Sequence, residues 1–443
     1  MTTWFARDAL LPDGWAKNVR IEIDAAGNIA SATAGSAPGK SDALAGPVLP
    51  GMANLHSHAF QRAMAGLTEV RAAPDDDFWS WRELMYRFLQ RLTPAQAHAV
   101  AGHLYIEMLK HGYTAVGEFH YVQDRSSKML LHHLAAAKET GIAITLLPSL
   151  YCWSNFGGKP LQPRQMRFDS DPEFVLRLVA EIGKLATPDV VVGVAPHSLR
   201  AVDPGSLKEL VKSLPAAAPI HIHAAEQTKE VEDCVAALGK RPVEWLLENM
   251  DVDERWCLVH ATHMTSEETQ ALARSGATAG LCPTTEGNLG DGFFPLLAYR
   301  AAGGHYGIGG DSHVSRDPVE ELRLLEYGQR LTARRRNLVV GDRSQAVGTT
   351  LWLEAAAGGK VLGRNMGAIA PGLRADLVVL DADQPDLAGR SGDAIANALV
   401  FSGATNLVRD VMVGGVWAVR GGSHPQEGPA ENEYKRALTE LLA

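Results

Sequence analysis

Between residues 47 and 310 an apolar run, a polar loop and a helical segment follow one another eight times. The runs fall at 47–55, 113–120, 143–150, 189–196, 219–224, 257–262, 277–282 and 305–310, and each reads as a buried strand. The segments between them carry helical signals. Thr93-Pro94 offers an N-cap and a first-turn proline, Val100, Leu104 and Met108 share one face, and Gly112 ends the pattern. Eight strand–helix units predict an α/β fold, a (β/α)8 TIM-like barrel. A doubly wound open sheet is the competing layout, weakened because no GxGxxG turn follows the first strand.

The two ends of the chain read differently. Residues 1–48 hold alternating segments such as Val19-Arg20-Ile21-Glu22-Ile23, broken at Ala26-Gly27-Asn28. Ala375 to Asp381 reads as a strand, and Val408–Val413, Gly414-Gly415 and Val416 to Arg420 as a hairpin. Domain termini often lie close together. Residues 1–48 and 369–423 are therefore expected to form one small β-sandwich domain beside a barrel of 49–368, with 424–443 as a polar tail and short helix. A chain of 443 residues suits that division.

Composition narrows the function. A hydrophobic fraction of 46% and a charged fraction of 21% are ordinary for a soluble globular protein. No stretch of 18 apolar residues could span a membrane. Met1 to Arg7 lacks a basic region followed by an apolar run, so no signal peptide is expected. A net charge of -9 argues against a nucleic-acid partner, and an anionic substrate would need a local cationic pocket. Cys152, Cys234, Cys257 and Cys282 form no CxxC pair and are expected to be reduced thiols of a cytoplasmic protein.

The titratable residues recur at one place. His56-Ser57-His58 closes the first strand, where residues two apart point the same way and two imidazoles can meet one metal ion. His197 follows the fourth strand. His221 and His223 close the fifth, with Glu226 beyond, His260 ends the sixth near His263, and Asp311 follows the eighth. In a barrel the carboxyl ends of all strands share one mouth, where catalytic groups collect.

The motifs Pro50-Gly51-Met52-Ala53-Asn54-Leu55-His56-Ser57-His58, His221-Ile222-His223-Ala224-Ala225-Glu226, Leu258-Val259-His260-Ala261-Thr262-His263 and Gly309-Gly310-Asp311-Ser312, in this order, resemble the amidohydrolase superfamily. The stretch from Gly367 to Asp381 is also similar to it. The resemblance implies His56, His58, His223 and Asp311 as metal ligands. His221 could compete with His223, but the HxxE spacing of His223 and Glu226 matches the deaminating branch. Three histidines and a carboxylate suit zinc, although iron or nickel can occupy similar sites. Members with two metals carry a modified lysine at the end of the fourth strand. No lysine lies between Asp189 and Arg200, so one divalent metal per chain is expected. Such a metal lowers the pKa of water from ~16 towards ~7. Asp311 would take the water proton, Glu226 would carry a proton to the departing nitrogen, and His260 would orient the attacking oxygen.

A closer resemblance is to the N-formimino-L-glutamate deiminase family of histidine degradation. It rests on His56-Ser57-His58-Ala59-Phe60-Gln61-Arg62, Phe78-Trp79-Ser80-Trp81-Arg82, Gly117-Glu118-Phe119-His120-Tyr121, Ala195-Pro196-His197-Ser198-Leu199-Arg200 and the segment Cys282 to Gly292. It implies hydrolysis of N-formimino-L-glutamate, with Gln61, Arg82, Tyr121, His197 and Arg200 as substrate contacts. Two arginines can clamp two carboxylates in fork geometry. A homodimer is common for this fold. An aminohydrolase of a purine or related heterocycle shares the metal motifs but does not need two arginines. A catalytically silent oligomeric scaffold would be marked by lost ligands, and none is lost.

Overall fold

The computed structural model describes residues 1–71, 78–403 and 406–443, and no side chains at 78–80. Phe78, Trp79 and Ser80 of the quoted motif therefore lie outside the described side chains.

Among the described residues, parallel strands follow one another in chain order around a ring. They are Met52–Ser57, Tyr113–His120, Ala143–Leu150, Val190–Val192, Ile220–Ala224, Trp256–His260, Thr278–Leu281 and His305–Ile308. The fourth is short, and Ala195–Pro196 continues it along the third strand. Parallel bridges Val194–Ile220 and Ser198–His223 close the ring on one side, and Ile308 pairs with Asn54 on the other. An open doubly wound sheet would keep two edges; this sheet keeps none, so it is the barrel.

Helices between the strands begin where side chains satisfy free backbone N–H groups. Thr93 and Gln96 form a reciprocal capping box at the start of Pro94–Lys110. Asp171, Asp203 and Asp317 each accept a backbone hydrogen bond ahead of a first-turn proline.

The first apolar run is not one strand. It divides at Gly51 between two sheets. Val48–Pro50 pairs with Leu377–Leu380, and Met52–Ser57 enters the barrel. The Gly51 N–H donates to the Asp376 carbonyl at 2.8 Å, and a Cβ there would sit 2.5 Å from the Thr114 side chain. Only glycine fits that crossing.

The smaller sheet is one hydrogen-bonded path drawn from both chain ends. Val416–Val419, Val408–Val413, Leu377–Leu380, Val48–Pro50, Thr2–Leu11, Gly14–Ile23 and Ile29–Thr33 are neighbours in that order. Trp417 and Trp4 lie four strand spacings apart, which is ~19 Å on a flat sheet. Their ring centres are 5.1 Å apart, so the sheet curls over on itself around Ile21, Ile23, Leu377 and Met412.

In the segment expected as a polar tail and short helix, the helix takes up most of the length. Glu427–Leu442 packs on Pro94–Lys110. His424 anchors its start through Nε2, 2.9 Å from the Thr140 carbonyl, and Tyr434 stacks on His103. Only Ala437 and Leu441 are buried, so its first turns read as polar chain.

Candidate metal-dependent active site

His56 and His58 lie at the carboxyl end of the first barrel strand, with Ser57 between them facing the opposite way. Glu118 accepts from Ser57 Oγ at 2.6 Å and from the Ala59 N–H at 3.0 Å. The second strand thereby pins the strand end that carries both imidazoles.

Backbone carbonyls set the tautomers. His58 Nδ1 is 2.8 Å from the Phe119 oxygen, and His223 Nδ1 is 2.9 Å from the His197 oxygen. A carbonyl only accepts, so both Nδ1 atoms carry hydrogen and both Nε2 atoms present lone pairs. His223 Nε2 is 3.0 Å from His56 Nε2. Asp311 Oδ1 is 3.3 Å from His56 Nε2 and 3.5 Å from His58 Nε2. Burial first, and then neighbouring imidazoles, hold His58 down at about 3 and His56 and His223 well below the usual range. Neutral lone pairs and a carboxylate converging on one point repel one another unless a cation lies among them. The donor set therefore fits a divalent metal. His221 is fully buried but joins none of the converging groups among the described residues, so depth along the strand separates it from His223.

Around this point the backbone is bent. Ala225, His260, Ala261, Asp311 and His313 all have left-handed φ, between 48° and 65°. Each such residue costs about 1–3 kcal/mol, which the surrounding packing has to offset. Gly309 contributes by lack of bulk, since a Cβ there would meet His56 at 2.9 Å.

His260 faces three carboxylates. Its Nε2 is 3.8 Å from Glu226 Oε1 and 3.9 Å from Asp311 Oδ2, and its Nδ1 is 3.2 Å from Glu286 Oε1. Burial alone would lower the His260 pKa, but Glu226, Glu286 and Asp311 outweigh it and raise it. Burial, helped by Asp311 and opposed by His260, pushes the Glu226 carboxyl up. Glu230 Oε2 accepts from the Glu226 N–H at 3.0 Å.

A cleft opens beside these groups, and Gln61, Arg82, Tyr121, His197 and Arg200 all line it. Gln61 Nε2 donates to Tyr121 OH at 2.9 Å, and that hydroxyl is 3.2 Å from Met85 Sδ. Gln61 Oε1 is buried and has no partner among the described residues, so it is a ready acceptor. Burial, and then the like charge of Arg200, lower the Arg82 pKa, which places both guanidiniums in one small space. His197 lines the cleft with its ring while its backbone holds His223.

Glu286, Tyr151 and Tyr86 also belong to the site, although the sequence motifs assign none of them a role. Glu286 lies just past the seventh strand and Tyr151 just past the third, the same placement that singled out the histidines. Tyr86 is one helical turn beyond Arg82 on Phe78–Leu89 and shares its face.

The profile of the amidohydrolase family matches residues 48–418, and that of the formimidoylglutamate deiminase HutF N-terminal domain matches residues 1–46. A formimidoylglutamate deiminase of Pseudomonas aeruginosa is 51% identical over 452 residues, covering 100% of both chains. A 5-methylthioadenosine/S-adenosylhomocysteine deaminase of Natronomonas pharaonis is 30% identical over 406 residues, covering 89% of this chain and 87% of that one. The crystal structure of an amidohydrolase from Brucella melitensis superposes with a TM-score of 0.94 at 48% identity, covering 100% of both chains.

Proposed function

We propose that this chain, which belongs to the amidohydrolase family, hydrolyses N-formimino-L-glutamate to N-formyl-L-glutamate and ammonia. The observation that carries the reading is the make-up of the cleft. A converging set of lone-pair donors lies beside two guanidiniums, so a hydrolytic centre sits next to a site for a dianion. The full-length likeness to the Pseudomonas enzyme supports the same substrate.

His56, His58, His223 and Asp311 are the ligands of one divalent ion, zinc by the chemistry of the donor set, and such an ion supplies Lewis acidity that makes water a nucleophile near neutral pH. Asp311 takes a proton from the attacking water through Oδ2, the oxygen on the His260 side. His260 donates from Nε2 to the oxygen that adds to the formimino carbon, with Glu286 holding the other ring nitrogen. Glu226, whose buried carboxyl binds a proton more tightly than usual, carries hydrogens to the departing nitrogen. That nitrogen enters as =NH and takes both hydrogens of the water, one given up as the oxygen adds to carbon and held meanwhile by Asp311, the other as the C–N bond breaks and the carbonyl forms, so it leaves as ammonia and both carboxyls return to their starting states. Gln61 Oε1 accepts from the formimino N–H, and Arg82 and Arg200 hold the carboxylates, with Tyr121 and His197 completing the wall.

Four free thiols, three of them buried, fit a reducing, cytoplasmic setting. No helix among the described residues is long and apolar enough to cross a membrane.

The Natronomonas relative keeps a purine-type aminohydrolase in view. Ammonia release from N-formimino-L-glutamate, measured beside a panel of aminopurines, decides between them. Turnover of the formimino compound alone is expected; turnover of an aminopurine with none of the formimino compound overturns the reading.

A further inference from the structure

The cleft lined by Arg82 and Arg200 is also lined by two phenols, those of Tyr86 and Tyr151. Gln165 lies behind them, fully buried in the turn Pro163–Phe168. The direction of its amide is set by a backbone group. The Gln162 N–H can only donate, and it ends on Gln165 Oε1 at 3.1 Å. The amino nitrogen of Gln165 therefore faces the phenols. It donates to Tyr86 OH at 3.1 Å and to Tyr151 OH at 3.2 Å.

Each phenol oxygen is thus used as an acceptor from behind, and its own hydrogen has to point elsewhere. Among the described residues no acceptor takes either hydrogen, and both tyrosines are only 2% exposed. The open direction is the cleft. The Arg82 guanidinium carbon stands 5.3 Å from the centre of the Tyr86 ring, and the charges of both Arg82 and Arg200 act on Tyr86. Two O–H donors beside two guanidiniums offer hydrogen only, from several sides. A carboxylate can accept all of it; a primary amide or an amine brings hydrogens of its own and leaves donors facing donors.

We propose that Tyr86 and Tyr151, aligned by Gln165, donate to a carboxylate of the substrate and set the specificity for a dicarboxylate. The proposal rests on the reading of the substrate as N-formimino-L-glutamate and deepens it. It also accounts for discrimination that arginines alone do not give, because a long guanidinium can turn to meet other acceptors while a phenol pinned at its oxygen cannot.

The test uses the full-length enzyme with its metal, Tyr86→Phe and Tyr151→Phe, which remove one oxygen each, and four probes. These are N-formimino-L-glutamate, its two analogues lacking either the α- or the distal carboxylate, and glutarate as an unreactive dianion. Each variant is expected to lose ~10-fold or more in kcat/KM for the diacid, chiefly through KM, with a matching loss of glutarate affinity. The analogue without the contacted carboxylate should lose less than ~3-fold. Wild-type KM and wild-type glutarate affinity in both variants overturn the proposal. So does an equal loss for the diacid and both analogues. If wild-type enzyme leaves N-formimino-L-glutamate untouched, the substrate reading fails, and glutarate binding by calorimetry still decides on the hydroxyls. No glutarate binding to the wild type, or equal binding to wild type and variants, then sinks the proposal by itself.

Discussion

Replacing Glu286 by glutamine separates charge from shape behind His260. Glu286 Oε1 accepts from the Cys282 N–H at 2.9 Å and lies 3.2 Å from His260 Nδ1. A glutamine oxygen in the same place keeps both contacts, so the fold should survive. What disappears is the charge on the acceptor. A hydrogen bond to an ionised group contributes about 1.5–3 kcal/mol and a neutral one about 0.5–1.5, a difference of about 1–2 kcal/mol. That corresponds to roughly 5- to 30-fold in rate. Because the proposed role of His260 is on the reacting oxygen and not on the carboxylates, the loss should fall on kcat and leave KM within about twofold. Glu286→Leu is the contrasting variant. It leaves the Cys282 N–H and the His260 Nδ1–H buried without an acceptor, at about 1–3 kcal/mol each. It should therefore melt lower as well as turn over more slowly. Steady-state ammonia release and a thermal melt read both effects. Wild-type kcat in Glu286→Gln, or a loss confined to KM, would refute the argument that Glu286 works through His260.

Three further outcomes are expected. Elemental analysis should find one divalent ion per chain, lost in His223→Ala; two ions per active chain, or full activity after exhaustive chelation, would contradict the ligand set. Glu226→Gln should retain the metal and lose at least ~100-fold in kcat, the usual scale for general acid–base work, and near-normal turnover would remove Glu226 from the proton path. Arg82→Met and Arg200→Met should each lose ~100-fold or more in kcat/KM on the diacid, because a buried carboxylate then lacks its partner, and much less on an analogue lacking the matching carboxylate. Equal losses on both compounds would point to damage of the fold.

The barrel and the gathering of histidines at its strand ends were legible because each depends on neighbours in sequence. Apolar runs between capped helices become strands whatever pairs with them, and residues two apart on a strand face the same way. Gly51 was not legible for the opposite reason. Whether Val48 to Leu55 is one strand or two depends on the partner Leu377–Leu380, far along the chain, which draws Val48–Pro50 out of the barrel. Alternation along the strand left His221 and His223 level, since both face the barrel interior; the HxxE step from His223 to Glu226, read through the family resemblance, favoured His223, which is the one that joins His56 and His58. The terminal helix was half hidden by its narrow buried stripe of Ala437 and Leu441.

Apart from the side chains of Glu286, Tyr86 and Tyr151, the part of the site that stayed silent in the sequence is made of backbone. The carbonyls of Phe119 and His197 set the tautomers of His58 and His223, and the Gln162 N–H sets the direction of the Gln165 amide. Every residue type has those groups, so no residue type announces them. Their effect depends on where strand ends and turns stop, which is why left-handed backbone gathers at the mouth. Side-chain substitution therefore reports on them poorly. Replacing Phe119 removes a ring 5.0 Å from that of His56 yet leaves its carbonyl on His58. His197→Ala removes a cleft wall but keeps the oxygen that orients His223. A loss of activity in either variant measures packing or substrate contact, whereas a loss of metal requires the backbone itself to move. Metal content measured beside kcat/KM in His197→Ala separates the two, with full metal content and weakened substrate binding as the expected pair.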